Sequence, residues 1–296
     1  MKEGQNPSLA FLKTELEDLW SKFDQAYAPL KAEDWAKKYG KDWTFADQPY
    51  HMAYFDGVMV ATPIAKGDRL LESERWLLHS VGEINKWNAD EFAKRLGGQT
   101  AQKSLEEWKA KRDVLRKSMA NMKDADLGKR VWIPLMMGWS TVGDALMMAL
   151  VHGAGEYAEL RMRLKGKAPE LSANAAHARL GFMLFIMGVG VNKELAKEPF
   201  TAVWNFTGNG GGTWTLAAAN GACKVTEGPA QKADVTMTTD FYTFERLGRK
   251  MGSPMMLMLT GKMKVKGMSK MGTFKKLFPE PKPDTQLVGK EGMAAG

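Results

Sequence analysis

Cysteine is almost absent: Cys223 stands alone in 296 residues. One thiol excludes an intramolecular disulfide framework, so stability must come from a packed core, and the composition fits a reducing compartment. No apolar run is long enough for a membrane span. The longest, Leu180–Val191, falls short of the ~20 residues required. A signal peptide is not expected either, because the opening MKEGQNPSLAFLKTELEDLW turns acidic and amphipathic at once. A cytoplasmic protein is the expectation. Acidic residues become scarce late in the chain. Between Phe241 and Lys282, only Glu245 and Glu280 oppose Arg246, Arg249, Lys250, Lys262, Lys264, Lys266, Lys270, Lys275, Lys276 and Lys282. Such a stretch is either a solvated lysine face or a surface for anionic partners such as phospholipid headgroups, acyl-phosphates or nucleotide-bearing thioesters. Nucleic acid is not expected, since no helix-turn-helix, zinc-finger or RNA-motif signature accompanies the charge.

What is present suggests about two domains, on a prior of ~100–200 residues each. The first half reads as helices. Apolar residues at 9, 12, 16, 19, 20, 23, 27 and 30 form one helical stripe. Thr44 or Asp47 can cap a second helix, with Pro49 in its first turn and Pro63 as its expected end. A shorter helical piece is expected over Leu71–Ile84, and a charged helix over Ser104–Met122. A last long helix begins at the Thr141-x-x-Asp144 capping box and runs to about Leu164. Together these suggest a four-helix bundle. After the linker KGKAPELSANAA, a helix is expected from about Ala175 to Lys197. The period then changes to two: FTAVWNFTG, GTWTLAAANG, ACKVTEG and ADVTMTTD read as strands. Two helical pieces, a strand KMKVK and a closing helix follow, making an α+β region. The expected division is a bundle over 1–168, an α+β domain over 175–280 and a flexible tail over 281–296. GNGGG at 208–212 lacks the Gly-Lys-Ser/Thr ending of a phosphate loop and reads as a hairpin turn.

Histidine is also scarce: His51, His79, His152 and His177. His152 and Glu156 stand four residues apart, on one helix face. That spacing suits either a surface ion pair or two ligands of one metal ion. Between them lie Gly153 and Gly155, each costing roughly 1 kcal/mol in a helix interior relative to alanine. Their cost calls for a close neighbour or for space at a site. His51, in the first turn of the second helix, could complete a two-histidine, one-carboxylate set.

The segment DQPYHMAYFD, followed about a hundred residues later by WSTVGDALMMALVHGAGEYAELR, resembles the DinB-like four-helix bundles over about Leu9–Lys165. The resemblance implies that His51, His152 and Glu156 occupy metal-ligand positions, for zinc or a similar first-row ion. Glutamate in the last position departs from the commoner three-histidine pattern. In the mycothiol-dependent branch of the family, the glutamate instead precedes the histidine. From about Ala175 to Pro279, the TG…W hairpin, EGPAQKADVTMTTD, GKMKVKGMSK and the closing LF resemble the sterol carrier protein type 2 domain. This implies a sheet covered by helices around an apolar site for a fatty-acyl chain, acyl-CoA, phospholipid or sterol. Met255, Met256, Leu257, Met258, Leu259 and Met263 are the candidate lining, because thioether side chains adapt to varied apolar shapes; they could equally fill a core. Nearby basic residues would suit a ligand with an anionic head, and transient membrane contact is compatible with such a surface.

Two functions follow. One is binding or carriage of a lipid-like ligand, which the better-matched second half favours. The other is a metal- and low-molecular-weight-thiol-dependent transferase or isomerase, since the combination of the two regions resembles mycothiol-dependent maleylpyruvate isomerase. Tyr50, Tyr54 and Tyr157 are candidates for acid–base work by proximity alone.

Overall fold

The computed structural model describes residues 7–40, 43–95, 99–135, 137–165 and 168–285. Most of the expected flexible tail, from 286 onward, lies outside them. Contacts divide the chain into two compact units, with the boundary inside one helix, after Gly153.

The first unit is helical. Helix α1 (Leu9–Tyr27) is capped by Ser8, whose hydroxyl accepts from the Phe11 N–H, and it buries Leu12, Leu16, Leu19, Trp20 and Phe23. A short α2 (Ala32–Trp35) leads to α3 (Asp47–Phe55). The expected end of this helix at Pro63 does not occur. A π-helical segment, Asp56–Ala61, continues from α3 into α4 (Thr62–Lys66), where Pro63 occupies the first turn. The π segment directly before it shifts the helical hydrogen-bond pattern where the proline enters, with the Thr62 N–H donating to the Gly57 carbonyl. The helix expected over Leu71–Ile84 is displaced: residues 75–80 contain no helix, and α5 (Val81–Lys94) starts only after its cap, Ser80. Helix α6 (Ala101–Ala120) follows, then a hairpin of β1 (Arg130–Ile133) and β2 (Gly138–Thr141), and then α7 (Val142–Arg163). At the start of α7 the capping box forms reciprocally. Asp144 accepts from the Thr141 N–H at 3.0 Å, and the Thr141 hydroxyl accepts from the Asp144 N–H at 3.1 Å.

Helices α1 and α6 are joined by polar as well as apolar contacts. Phe23 meets Trp108 edge-on at 4.9 Å. Arg112, buried on α6, lies 4.4 Å over Trp108 and donates to Asp24 at 2.9 Å. Trp108 in turn donates its indole N–H to Asp56 at 2.7 Å. Burial pushes the Asp56 carboxyl up to about 7, against the opposing effects of the Trp108 hydrogen bond and the Arg112 charge.

The second unit contains α8 (Ala173–Val189), capped by Ser172, and a five-stranded sheet. The helix ends before the expected Lys197, at Gly188–Gly190. The strands are β3 (Phe200–Thr207), β4 (Gly212–Ala219), β5 (Ala222–Glu227), β6 (Val235–Asp240) and β7 (Lys264–Lys266), in the order β5-β4-β3-β6-β7. Strands β3 and β6 are parallel; the remaining pairs are antiparallel. Helices α9 (Phe241–Gly248), α10 (Pro254–Leu259) and α11 (Met271–Leu277) complete the unit. Period-two burial puts Trp204, Phe206, Leu216, Val235 and Met237 in the core, where Trp204 and Phe206 lie edge-on to Phe244 at 5.0 and 5.1 Å. GNGGG is the expected turn between β3 and β4. A Cβ at Gly210 would stand 2.5 Å from the Ala176 side chain, so glycine lets α8 seat directly on the turn. The architecture is thus a helical N-terminal region followed by an α+β region with flanking helices.

Candidate metal centre

His51 is set by the first turns of α3. Ahead of it, Asp47 accepts from the N–H and hydroxyl of Thr44, at 2.7 and 2.6 Å, and pairs with Arg95. His51 is 5% exposed. Its Nδ1 lies 2.6 Å from the Tyr54 hydroxyl, one turn further on. That hydroxyl donates to Asn88 Oδ1 on α5 at 2.8 Å. With the tyrosine proton committed to Asn88, the tyrosine oxygen accepts from His51 Nδ1–H. The proton is thereby held on Nδ1, and the lone pair is left on Nε2.

That lone pair points to a second imidazole. His51 Nε2 lies 3.1 Å from His152 Nε2 on α7. Phe55, one turn after His51, stacks on the His152 ring at 3.5 Å and 8°. Trp43 and Phe92 enclose His51, with ring centroids at 4.9 and 6.4 Å. Glu156 follows His152 by one turn of the same unbroken helix. Ligand atoms from His51, His152 and Glu156 lie within 4.8 Å of one another, and among the described residues no other group of three or more such side chains converges in this way.

The donor set fits a divalent cation. Metal–nitrogen bonds of about 2.05 Å at a tetrahedral angle place two ligand nitrogens roughly 3.3 Å apart. The observed 3.1 Å is close to that. The same distance also suits an N–H···N hydrogen bond from His152 to His51, which a bound ion would replace, and two imidazoles with one carboxylate suit a first-row ion. Glu156 also faces a protein cation, Arg249, at 3.4 Å. The same guanidinium donates to the Gly155 carbonyl at 2.8 Å, pairs with Glu159 and approaches Glu245 at 3.5 Å.

The glycines flanking Ala154 have a packing explanation. A Cβ at Gly153 would stand 2.8 Å from Leu19 Cδ2, and one at Gly155 would stand 2.6 Å from Arg179 Cζ. The space they leave is taken by those two side chains.

The other candidates are more scattered. Tyr54 touches His51, but Tyr50 donates to the Glu91 carbonyl and Tyr157 to the Pro169 carbonyl. His177 bridges α8 to the β3–β4 turn and β4, with Nδ1 3.3 Å from the Gly211 carbonyl and its ring 4.7 Å from Trp214. Cys223 is a poor nucleophile, since burial pushes its thiol up to about 11. Of the expected apolar lining, Leu257 and Met263 are buried and Met258 is half-buried, whereas Met255, Met256 and Leu259 are exposed. Asn88, Phe55 and Arg249 were not singled out from the sequence. Asn88 comes from α5 and Arg249 from the residue that follows α9, and Phe55 reads simply as a core residue.

Residues 15–160 match the DinB superfamily, and residues 193–279 match the SCP-2 sterol transfer family. The chain thus joins a DinB-like region to an SCP-2-like region. The SCP-2 match supports binding of an apolar, lipid-like ligand. A solved mycothiol-dependent maleylpyruvate isomerase is similar over 93% of this chain and 97% of its own, at 10% identity and a TM-score of 0.51. It shares the fold of both the DinB and SCP-2 regions. Sterol carrier protein 2 from Yarrowia lipolytica, in its apo form, matches 37% of this chain and 97% of its own at 20% identity, with a TM-score of 0.28. A double mutant of a sec-alkyl sulfatase matches 50% of this chain at 20% identity and a TM-score of 0.32. The chain spans only 26% of that sulfatase. No curated protein matches the sequence. Among the described residues, no helix is long and apolar enough to cross a membrane.

Proposed function

We propose that His51, His152 and Glu156 hold a divalent first-row metal, zinc or similar, and that the protein is a transferase or isomerase dependent on a low-molecular-weight thiol. One observation carries the metal assignment: two imidazole Nε2 atoms face each other at 3.1 Å, with a carboxylate one helical turn away. The isomerase with the same fold is mycothiol-dependent by name, which supports a thiol cosubstrate. Bound at these ligands, the ion would supply the positive charge that favours a thiolate over a thiol near neutral pH.

The chain's own residues do the positioning. Tyr54 and Asn88 keep the His51 proton on Nδ1. Phe55 covers one face of the His152 ring. Arg249 offsets part of the Glu156 charge, which limits how strongly that carboxylate binds a cation. The lone Cys223 fits the reducing, cytoplasmic setting that a small-thiol reaction needs.

Elemental analysis of the purified chain tests the assignment. About one ion per chain is expected in the wild type after zinc loading, and little in His152→Ala. A folded wild type that stays metal-free after loading sinks the reading.

A second reading rests on the SCP-2 match at 193–279. In it, the α+β region carries a fatty-acyl chain, acyl-CoA, phospholipid or sterol, with nearby lysines facing an anionic head. Mass spectrometry of solvent extracts checks it: a co-purifying lipid at near-stoichiometric amount supports carriage. Its absence, together with failure of the protein to bind a fluorescent fatty acid, argues against it.

A further inference from the structure

Apolar side chains concentrate on one exposed surface of the α+β unit. Met255, Met256 and Leu259 are 67%, 55% and 74% exposed. On α10 these three lie within about 100° of arc, at 100° per residue, and Leu257 points the other way. Leu257 is buried, and its carbonyl accepts from the Met263 N–H at 3.0 Å, so the short helix is anchored with its apolar face outward. That hydrogen bond brings Lys262 and Lys264 beside the helix. Lys264 and Lys266 share one face of the edge strand β7. All three lysines are exposed, as is Lys270. No aspartate or glutamate occurs between Glu245 and Glu280.

We infer that this surface docks on an anionic lipid bilayer. Unbranched thioether chains and leucine insert among acyl chains, while lysines reach phosphate and carboxylate headgroups with their stems lying along apolar surface. Neither signal suffices alone for stable attachment; apolar insertion and a polybasic rim together do. Nucleic acid is the less suitable anion, because among the described residues from 241 to 282 no large aromatic is exposed to offer a base-stacking platform. The inference is independent of the metal assignment, and it places at a membrane the lysines that the carriage reading places at a bound head group.

Co-sedimentation of the full chain with vesicles tests it. Vesicles of phosphatidylcholine with about 30 mol% phosphatidylserine are compared with pure phosphatidylcholine, at low and at physiological ionic strength. Binding is expected to the anionic vesicles, at least about tenfold tighter than to neutral ones, and to weaken with salt. The variant Met255→Ser/Met256→Ser/Leu259→Ser changes only exposed side chains. It should keep the wild-type circular dichroism and lose at least about tenfold in vesicle affinity. Lys264→Ala/Lys266→Ala should lose roughly fivefold per lysine on anionic vesicles only. Equal binding to both vesicle types overturns the inference. So does wild-type affinity in either folded variant, or binding to an oligonucleotide without binding to vesicles.

Discussion

Glu245 and Glu159 in one unit and Asp56 in the other are buried carboxylates held in opposite ways. In the α+β unit, Glu245 is 3% exposed and is held by Arg179 at 2.8 Å, with Arg249 at 3.5 Å. Glu159, 8% exposed, is held by Arg163 and Arg249. In the helical unit, Asp56 is 1% exposed and takes one hydrogen bond, from the neutral indole of Trp108. Its other oxygen, Oδ1, has no hydrogen-bond donor among the described residues. A carboxylate bonded directly to guanidinium keeps its charge when buried, whereas one bonded only to a neutral donor takes up a proton more readily. The contrast shows one region placing arginine directly on its buried Glu245 and Glu159, whereas the buried Arg112 of the helical unit bonds the part-exposed Asp24. The other accepts polar groups in its core, including the histidine that begins the candidate centre.

Neutralising each carboxylate without changing its shape should therefore give opposite signs. The largest effect is expected for Glu245→Gln, which leaves Arg179 short of its anion. A loss of about 3 kcal/mol is expected, read from urea unfolding; a loss below about 1 kcal/mol would erase the contrast. Asp56→Asn should stabilise, in a pH-dependent way. Unfolded aspartate titrates near 3.9, and folded Asp56 at about 7. The folded chain therefore keeps a proton that the unfolded chain releases in between. Wild-type stability should fall as pH rises from about 4 to 7 and level off above, since the native state binds more protons in that window. The full difference is about 4 kcal/mol before relaxation. Urea unfolding at about pH 8 should show Asp56→Asn gaining on the order of 2 kcal/mol, with little gain near pH 4. A flat difference between the two pH values would remove Asp56 as the odd member of the pair.

Smaller changes sharpen the contrast near the centre itself. Tyr54→Phe removes the acceptor for His51 Nδ1–H and should weaken zinc binding roughly 10- to 100-fold in a chelator competition, with the fold intact. Unchanged affinity would mean that Tyr54 does not set the tautomer. Gly153→Ala should cost least. The new methyl meets the mobile end of Leu19, so a crowding cost of about 1–2 kcal/mol is offset by about 1 kcal/mol of helix propensity. A net loss under about 1 kcal/mol is expected in thermal unfolding, whereas a loss above about 3 kcal/mol would mean that Leu19 cannot turn aside.

Much of the fold was legible because its signals are local. The reciprocal Thr141–Asp144 cap, the Asp240 cap that accepts from Thr243 at 2.9 Å and the alternating burial of β3 and β6 each lie within a few residues of sequence. The β1–β2 hairpin was missed because each strand has four residues, too few for a period to register. The continuation past Pro63 was missed because a π segment absorbs the expected break. At the centre, three residue identities could be named from spacing and resemblance, and the structure brings those three together. Asn88 could not be named: it reaches Tyr54 from α5 across 34 residues, and no local period encodes such a contact.

The sequence by itself determined the order of the long helices and of the strands after Pro199, the single histidine–glutamate turn on α7 and the one-sided charge of the last third. These depend on residue type and near-neighbour spacing, which the chain carries in one dimension. Only the tertiary structure decided that His51 faces His152, and that Gly153 and Gly155 make room for Leu19 and Arg179 rather than for a ligand. It likewise decided that Met255, Met256 and Leu259 lie outside while Leu257 is buried. The reason is that packing sets which side of a helix is covered, and packing joins residues a hundred positions apart.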